Sequence, residues 1–235
     1  MAGETSGEIP RGLASALGFV AGFVDAAGFV ALSGLFAAHV TGNFVMIGAG
    51  LVGHQGGGVV AKILALPAFV LAVAGTRLLA RALERGGRAP LPWLLAAEAL
   101  LLAGFTGFGA ALAPLGDPDG PAALLVGLLA VAAMGVQNAL GRLCLPQLAP
   151  TTVMTVNVTQ GVLDALDLAR GIPRDHPARS RLARILPALA AFAVGALAGA
   201  FGVALCAFWC GALPALILAG LALRVGLTRG APRRA

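Results

Sequence analysis

The sequence predicts an all-α polytopic membrane protein with six transmembrane helices and two short interrupted segments, arranged as a 3+3 inverted repeat. Three observations support this fold class. The 235 residues are 59% hydrophobic and 11% charged, and apolar stretches recur at about 20 residues, the length that crosses a bilayer core. The charges gather in the breaks between these stretches. Similar motifs recur in both halves, within one membrane domain of residues 1–235.

Hydropathy indicates eight apolar segments. They cover Leu13–Gly34, Leu35–Gly53, Val59–Ala80, Leu91–Ala113, Pro121–Leu143, Thr152–Ala169, Leu182–Val203 and Leu205–Leu227. The second segment contains "HVTGN" (39–43), in which a helix-breaking glycine lies between hydrogen-bonding side chains. The sixth segment carries polar residues on both faces, so neither face suits lipid. These two segments are therefore predicted to be short and interrupted.

Positive charge predicts the topology, because cytoplasmic loops are enriched in Arg and Lys. If the second and sixth segments enter the membrane and return, six segments cross and both termini are cytoplasmic. Of the 16 basic residues, only Lys62 then lies outside, and residues 228–235 form a cytoplasmic tail. The charge pattern leaves open whether segment 35–53 is re-entrant or crosses. Because the basic residues serve topology, the net charge of +6 does not indicate nucleic-acid binding.

Four pairs of motifs recur in the same order, at offsets of 113 to 122 residues. They are GFVDA (22–26) with GVQNA (135–139), TGN (41–43) with TVN (155–157), AKIL (61–64) with ARIL (183–186), and EALLLAG (98–104) with PALILAG (214–220). We predict that residues 11–113 and 121–227 are internal repeats. Each repeat has three crossings, and an odd number reverses the orientation of the second repeat.

Inverted repeats with interrupted helices are typical of secondary transporters, in which the substrate binds near the midplane between the repeats. We therefore expect a permease for a small polar solute. Half-helix N-termini favour an anionic one. The alternatives are a non-transporting membrane scaffold or assembly protein, and a channel. The candidate substrate-binding residues are Asp25, His39, Thr41, Gly42, Asn43, Asn138, Thr155, Asn157 and Gln160.

Individual residues allow two interpretations each. An ionised Asp25 halfway along the first helix costs about 2.5 to 3.5 kcal/mol unless it is paired or faces water, so it is either a proton-linked or cation-linked group or a cap on a broken helix end. His39 either binds substrate or lies at the interface. Gly42 would let the chain break, with Thr41 and Asn43 satisfying the freed backbone groups. Asn138, the counterpart of Asp25, cannot titrate.

The acidic residues outside this set are assigned other roles. Asp164 and Asp167 are expected to form a cytoplasmic gate or ion pairs, because arginines follow them in sequence. Glu98 is expected to serve packing or gating. Asn157 and Asn43 are predicted to line one shared cavity, since two interrupted backbones cannot be left facing lipid.

Catalytic and metal-binding motifs are lacking: the sequence has no H-E-x-x-H, no Cys/His cluster and no Ser-His pair within reach. We expect no enzyme activity, no catalytic residue, no metal site and no cofactor. The expected partners are the solute and the lipid bilayer. Gly18-x-x-x-Gly22 and Gly195-x-x-x-Gly199 allow close helix approach, either within the chain or in a homodimer.

The blocks "GFVDAAGFVALSGLFAAHVTGNFVMIGAG" and "GVQNAL … TTVMTVNVTQ" resemble the YoaK-like family, bacterial six-helix membrane proteins of uncharacterised function. The resemblance covers most of the chain. It implies a multi-pass protein of the bacterial inner (cytoplasmic) membrane and brings no substrate with it. The second block reads Thr155-Val-Asn157 where the family more often has Thr-Gly-Asn, which implies a gentler break there.

Overall fold

The computed structural model describes residues 12–53, 57–148, 150–152, 154–170 and 177–230. The helices are α1 (Leu13–Ala31), α2 (Gly42–Leu51), α3 (Val59–Arg85), α4 (Pro90–Leu112), α5 (Pro121–Cys144), α6 (Met154–Ala169), α7 (Pro177–Cys206) and α8 (Ala212–Gly230), with a 3-10 turn at Ala207–Gly211. The described ranges contain no strand, so the predicted all-helical fold is confirmed. Arg11 and residues 231–235, which belong to the predicted first repeat and tail, lie outside the described residues.

Five stretches of the described chain are long and apolar enough to cross a bilayer. They are α1, α3, α4, α5 and the 51-residue stretch Pro177–Leu227. This last stretch contains α7, of 30 residues, and most of α8, of 19 residues. By contrast, α2 and α6 have 10 and 16 residues and are shorter than a typical spanning helix. These lengths support a polytopic membrane protein, as predicted, while the number of crossings stays a prediction.

The outer surface of the bundle is apolar. Leu71, Leu100 and Leu197 on α3, α4 and α7 are each more than half exposed. In water such a surface would be unusual for a monomer, whereas hydrocarbon is its natural environment. The buried core contains large side chains from α1, α4 and α5, with Phe105 and Met134 among them.

The most extensive helix contact is between α1 and α7, and it depends on glycine. A methyl group added at Gly18 would meet the carbonyl of Ala188, and one at Gly22 would overlap the carbonyl of Phe192. Both positions advance by four residues, so the two helices run parallel. Gly195 and Gly199 make the reciprocal contacts with α1. Both Gly-x-x-x-Gly motifs therefore serve packing within the chain, and a homodimer finds no support in them.

The helices α3 and α5 pack in a similar way. A methyl group at Gly135 of α5 would press on the side chain of Ala72 and the carbonyl of Phe69 in α3. Gly135 corresponds to Gly22 in the motif alignment. The first helix of each half of the sequence (α1 or α5) thus packs against the third helix of the other half (α7 or α3).

The two corresponding helices α1 and α5 run antiparallel. Near the end of α5, Gln137 Nε2 donates to the carbonyl of Leu17 near the start of α1, at 2.9 Å. Near the start of α5, a methyl group at Gly127 would contact the side chains of Leu32 and Leu35, which follow α1. The beginning of each helix therefore lies beside the end of the other.

The connection between α4 and α5 closes onto the start of α3. Asp119 Oδ1 accepts the backbone N–H groups of Val60 at 2.8 Å and Ala61 at 3.1 Å, so the carboxylate caps the N-terminus of α3. Lys62 is buried, and its Nζ donates to the carbonyls of Ser33 and Gly57 at 2.7 and 2.8 Å. The linker between the predicted repeats thus anchors the first one.

Candidate functional site

The chain is irregular between α1 and α2, over residues 32–41. Ser33 and Gly34 have φ angles of 52° and 83°, the left-handed region that favours glycine, and the chain turns there. The predicted interruption is therefore present, but the conformational break is at Gly34 and not at Gly42. Gly42 instead allows close approach, because a methyl group there would lie 3.1 Å from the ring of Phe36.

Asp25 organises this irregular segment from the middle of α1. Its side chain is buried, and Oδ1 accepts the backbone N–H groups of Ala38 at 2.8 Å and His39 at 3.3 Å. The other oxygen, Oδ2, lies 2.6 Å from His39 Nδ1. Asp25 thus holds the irregular segment, as its capping interpretation expects, and it also pairs with His39, while its link to a proton or cation stays a prediction.

His39 lies in the loop, outside the five candidate spans, and its side chain is 39% exposed. Hydrogen bonding to Asp25 raises the pKa of His39 above 6.5, burial partly opposes this, and the charge of Asp25 adds to the rise. A raised folded-state pKa means that the stabilisation by the pair is fully present below pH 6.5 and is lost as the pH rises through the higher value. The stabilisation that the pair provides is therefore lost at a pH above 6.5.

The Asp25–His39 pair faces an open groove between α1, the irregular segment and α7. The groove has a volume of about 610 Å³. Its walls are apolar and include Phe29, Phe36 and Phe192, and the His39 ring meets Phe192 edge-on at a centroid distance of 5.7 Å. The pair is thus the polar feature of an apolar groove.

Asn43 and Asn157 have matching structural roles. Asn43 Oδ1 accepts the N–H of Phe36, and its Nδ2 donates to the carbonyl of the same residue, both at 2.9 Å. Asn157 Nδ2 donates to the carbonyl of Pro150 at 2.6 Å. Each asparagine reaches back seven residues from the start of a short helix and fastens the irregular chain that precedes it.

The structure does not bring Asn43 and Asn157 together in one shared cavity. Both residues are buried, at 1% and 3% exposure, and both side chains are engaged in holding the backbone of their own half. Within the described ranges, α2 packs on α3 and α6 packs on α7, and the two short helices are not in contact. The physical reason is that each asparagine satisfies the interrupted backbone of its own half, so no shared cavity is required.

The basis for an anionic solute also weakens at α2. The N–H groups of Gly42, Asn43 and Phe44 donate to the carbonyls three residues earlier, at 2.7, 3.2 and 3.2 Å. These amides are therefore not free for an anion. Thr41 is exposed and its side chain makes no capping hydrogen bond, contrary to the role expected for it.

Asn138 forms a second cluster at the position that corresponds to Asp25. Its Oδ1 accepts the hydroxyl of Thr152 at 2.6 Å, and its Nδ2 donates to the carbonyl of Met134 at 2.9 Å. The neighbouring Gln137 Nε2 donates to Thr151 Oγ1 at 3.0 Å. As around Asp25, a polar residue of a long helix holds the chain that precedes a short helix.

The remaining candidate residues, Gln160 and Thr155, lie on α6. Gln160 Nε2 donates to Asp164 Oδ1 at 3.0 Å. Asp164 is fully buried and pairs with Arg181 through Nη2 at 2.6 Å and Nε at 3.1 Å, which confirms the ion-pair interpretation of Asp164. Thr155 is exposed, and the structure gives it no place beside the Asn138 cluster.

Glu98 lies on α4, away from these clusters. It is 0% exposed, and neither carboxyl oxygen has a hydrogen-bond partner within the described part of the chain. Ionising an unpaired carboxyl group in such a place would be very costly. Its complete burial agrees with a packing role.

Two residues with structural hydrogen bonds, Gln137 and Asp119, are not among the predicted site residues. Gln137 was recognised only as part of a motif, although a glutamine inside an apolar helix is itself a signal, because it must find partners there. Asp119 lies in the acidic turn PLGDPDGP (114–121), and nothing in that sequence context indicates that it caps a helix that begins 60 residues earlier.

Long apolar helices, two short helices and polar residues buried between them define a polytopic α-helical membrane protein. The comparisons with known proteins agree with this class. Residues 13–224 match the family described as "Protein of unknown function (DUF1275)", and the chain belongs to this family, which also contains the YoaK-like proteins that the sequence resembles. No curated protein and no solved structure matches the chain.

Proposed function

We propose that this protein is a proton-coupled secondary transporter of a small polar solute in the bacterial inner membrane. The observation that carries the proposal is the Asp25–His39 pair, with 2.6 Å between Nδ1 and Oδ2, in the interrupted part of a membrane protein. Ionisable residues inside membrane helices are expensive and mark ion or proton pathways by default.

The pair couples a proton to the shape of the irregular segment. Asp25 accepts two backbone N–H groups of this segment besides contacting the His39 ring. A proton on Asp25 would weaken all three interactions, because charge-assisted hydrogen bonds are stronger than neutral ones. Protonation therefore releases the segment from α1, and the release opens the groove toward α7.

The arrangement of the helices supports an inverted repeat of residues 11–113 and 121–227. The corresponding helices α1 and α5 are antiparallel. The hydrogen bonds of Asn43 on α2 and Asn157 on α6 both join residues seven positions apart. The hydrogen bonds from Asp25 and Asn138 to the irregular chain join residues 13 and 14 positions apart. Interrupted helices in inverted repeats are an architecture of secondary transporters.

Proton flux tests the transport proposal. We expect that purified protein in liposomes with an internal pH-sensitive dye moves protons when a solute from a panel of small carboxylates, inorganic anions and nucleobases is added outside. Asp25→Asn should reduce this flux to the level of empty liposomes, because the amide cannot carry the proton. The flux should also fall as the pH rises through the raised pKa of His39, since the ring then loses its charge.

The matched control is Glu84→Gln, which removes one carboxylate from the exposed end of α3 and should leave the flux unchanged. If no solute in the panel moves protons through the wild-type protein, or if Asp25→Asn transports like the wild type, the coupling mechanism is refuted. The scaffold interpretation then gains, while fluxes too fast for alternating access would favour a channel.

The proposed topology has six crossings and cytoplasmic termini. A reporter fused after Arg88 or after Arg170 should lie in the cytoplasm, because Arg-rich loops stay inside. A reporter fused after Asp117 should lie in the periplasm. Alkaline phosphatase and a fluorescent reporter distinguish the two sides. Opposite sides for Arg88 and Arg170 would mean that α6 crosses the membrane, and the inverted repeat would fail.

A further inference from the structure

A second cavity lies at the end of α5, apart from the Asp25–His39 groove. It has a volume of about 360 Å³ and lies between the last turns of α5 and the irregular chain that precedes α6. Its walls are more polar than those of the groove, and its lining includes Gln137, Asn138, Arg142, Thr151 and Thr152. This size is within the range of small-molecule sites.

Gln137 has an unsatisfied acceptor at this cavity. The residue is 1% exposed, and its Oε1 has no hydrogen-bond partner among the described residues. Its Nε2 is held by the carbonyl of Leu17 and by Thr151 Oγ1, at 2.9 and 3.0 Å, so the amide cannot rotate freely to find another partner. Buried polar atoms are almost always hydrogen-bonded, and a ligand that donates a hydrogen bond would satisfy this one.

Two donors complete the lining. The exposed Arg142 forms no ion pair within the described ranges, so its guanidinium group is free to bind a carboxylate. The Thr151 hydroxyl accepts a hydrogen bond from Gln137, which leaves its own proton available for donation. The cavity therefore offers a cation and a hydroxyl donor together with an amide acceptor.

We propose that this cavity binds a small carboxylate that also carries an N–H or O–H donor, the chemistry of an amino acid or a hydroxy acid. The carboxylate contacts Arg142 and Thr151, and the donor contacts Gln137 Oε1. As the solute site of a transporter the cavity rests on the proposed function, but binding itself does not, so it can be measured without transport. A simple anion would use Arg142 and leave the glutamine unsatisfied.

Protection of a cysteine tests this site in detergent-solubilised full-length protein. The reporter is Gly141→Cys, which lines the cavity and where an added side-chain atom meets nothing within 4 Å, in a background with Cys144, Cys206 and Cys210 replaced by alanine. We expect L-alanine to slow labelling by a water-soluble maleimide. Propionate, which lacks the donor, and L-alaninamide, which lacks the carboxylate, should each protect with an affinity about tenfold or more lower.

The matched controls are a second cysteine reporter and a second arginine substitution, both outside the cavity lining. Gly107→Cys also meets open space and should be labelled at the same rate with or without L-alanine. Arg142→Gln should abolish protection, whereas Arg85→Gln should not. The proposal is overturned if L-alanine at tens of millimolar gives no protection, if propionate protects equally, or if protection survives Arg142→Gln. Proton flux that depends on Asp25 without any protection at Gly141→Cys would keep the transport proposal and remove this site.

Discussion

Replacing Gly22 with alanine is expected to lower the free energy of unfolding by about 3 kcal/mol, at the upper end of overpacking costs. The added methyl group would overlap the carbonyl oxygen of Phe192, and a backbone atom within a helix cannot move aside as a flexible side chain can. The resulting separation of α1 from α7 would weaken the most extensive contact in the bundle. The midpoint of thermal unfolding in detergent, followed by circular dichroism, measures the loss.

Gly220→Ala is the matched control for this prediction. Gly220 also lies within a helix, but an added methyl group there meets nothing within 4 Å, so the better helix propensity of alanine should stabilise the protein by up to about 1 kcal/mol. If Gly22→Ala unfolds at the same temperature as Gly220→Ala, then α1 and α7 are not packed as closely as the structure has them.

Replacing Asn43 with alanine is expected to destabilise the protein by about 2 to 4 kcal/mol, because it leaves both the N–H and the carbonyl of Phe36 without their partner. Asn157→Ala should cost about half as much. Its side chain holds the carbonyl of Pro150, and proline has no N–H to satisfy. Chemical denaturation of the two variants measures the difference, and hydrogen exchange of the Phe36 amide reports the loss locally.

Thr155→Ala serves as the control, because Thr155 is exposed at the start of α6 and most surface substitutions change stability by less than about 0.5 kcal/mol. Equal costs for Asn43→Ala and Asn157→Ala would contradict the difference between the two loops. A faster exchange of the Phe36 amide without any change in global stability would mean that this segment opens independently of the bundle.

Much of the fold could be predicted from the sequence, because a bilayer requires long apolar helices and their lengths are visible as hydropathy. The observed α5, Pro121–Cys144, ends within one residue of the predicted segment. The short helices could be anticipated as well, since Gly and Asn in an apolar stretch need special backbone positions. The start of α2 could not, because the left-handed turn at Ser33 and Gly34 does not follow from hydropathy.

The site was less predictable, because the hydrogen-bond partners of its residues depend on the path of an irregular chain. Asp25 is visible in the sequence as an isolated carboxylate within an apolar segment. Its hydrogen bond with His39, 14 residues later, requires the loop to fold back along α1. Hydropathy cannot supply that path. The same limit explains why Asn43 was assigned to a substrate: its bonds to the backbone of Phe36 depend on where the main chain runs.

The exchange of helices between the two halves of the sequence has a mechanical consequence. The pairs α1–α7 and α3–α5 are joined by glycines set against backbone or small side chains, so we expect each pair, which contains helices from both halves, to stay together as one rigid unit. The two pairs meet where Gln137 of α5 donates to the carbonyl of Leu17 in α1. Leu17 lines the cavity near the start of α1, and Asp25 lines the groove about 12 Å further along the same helix, so a tilt of α1 would move one wall of each.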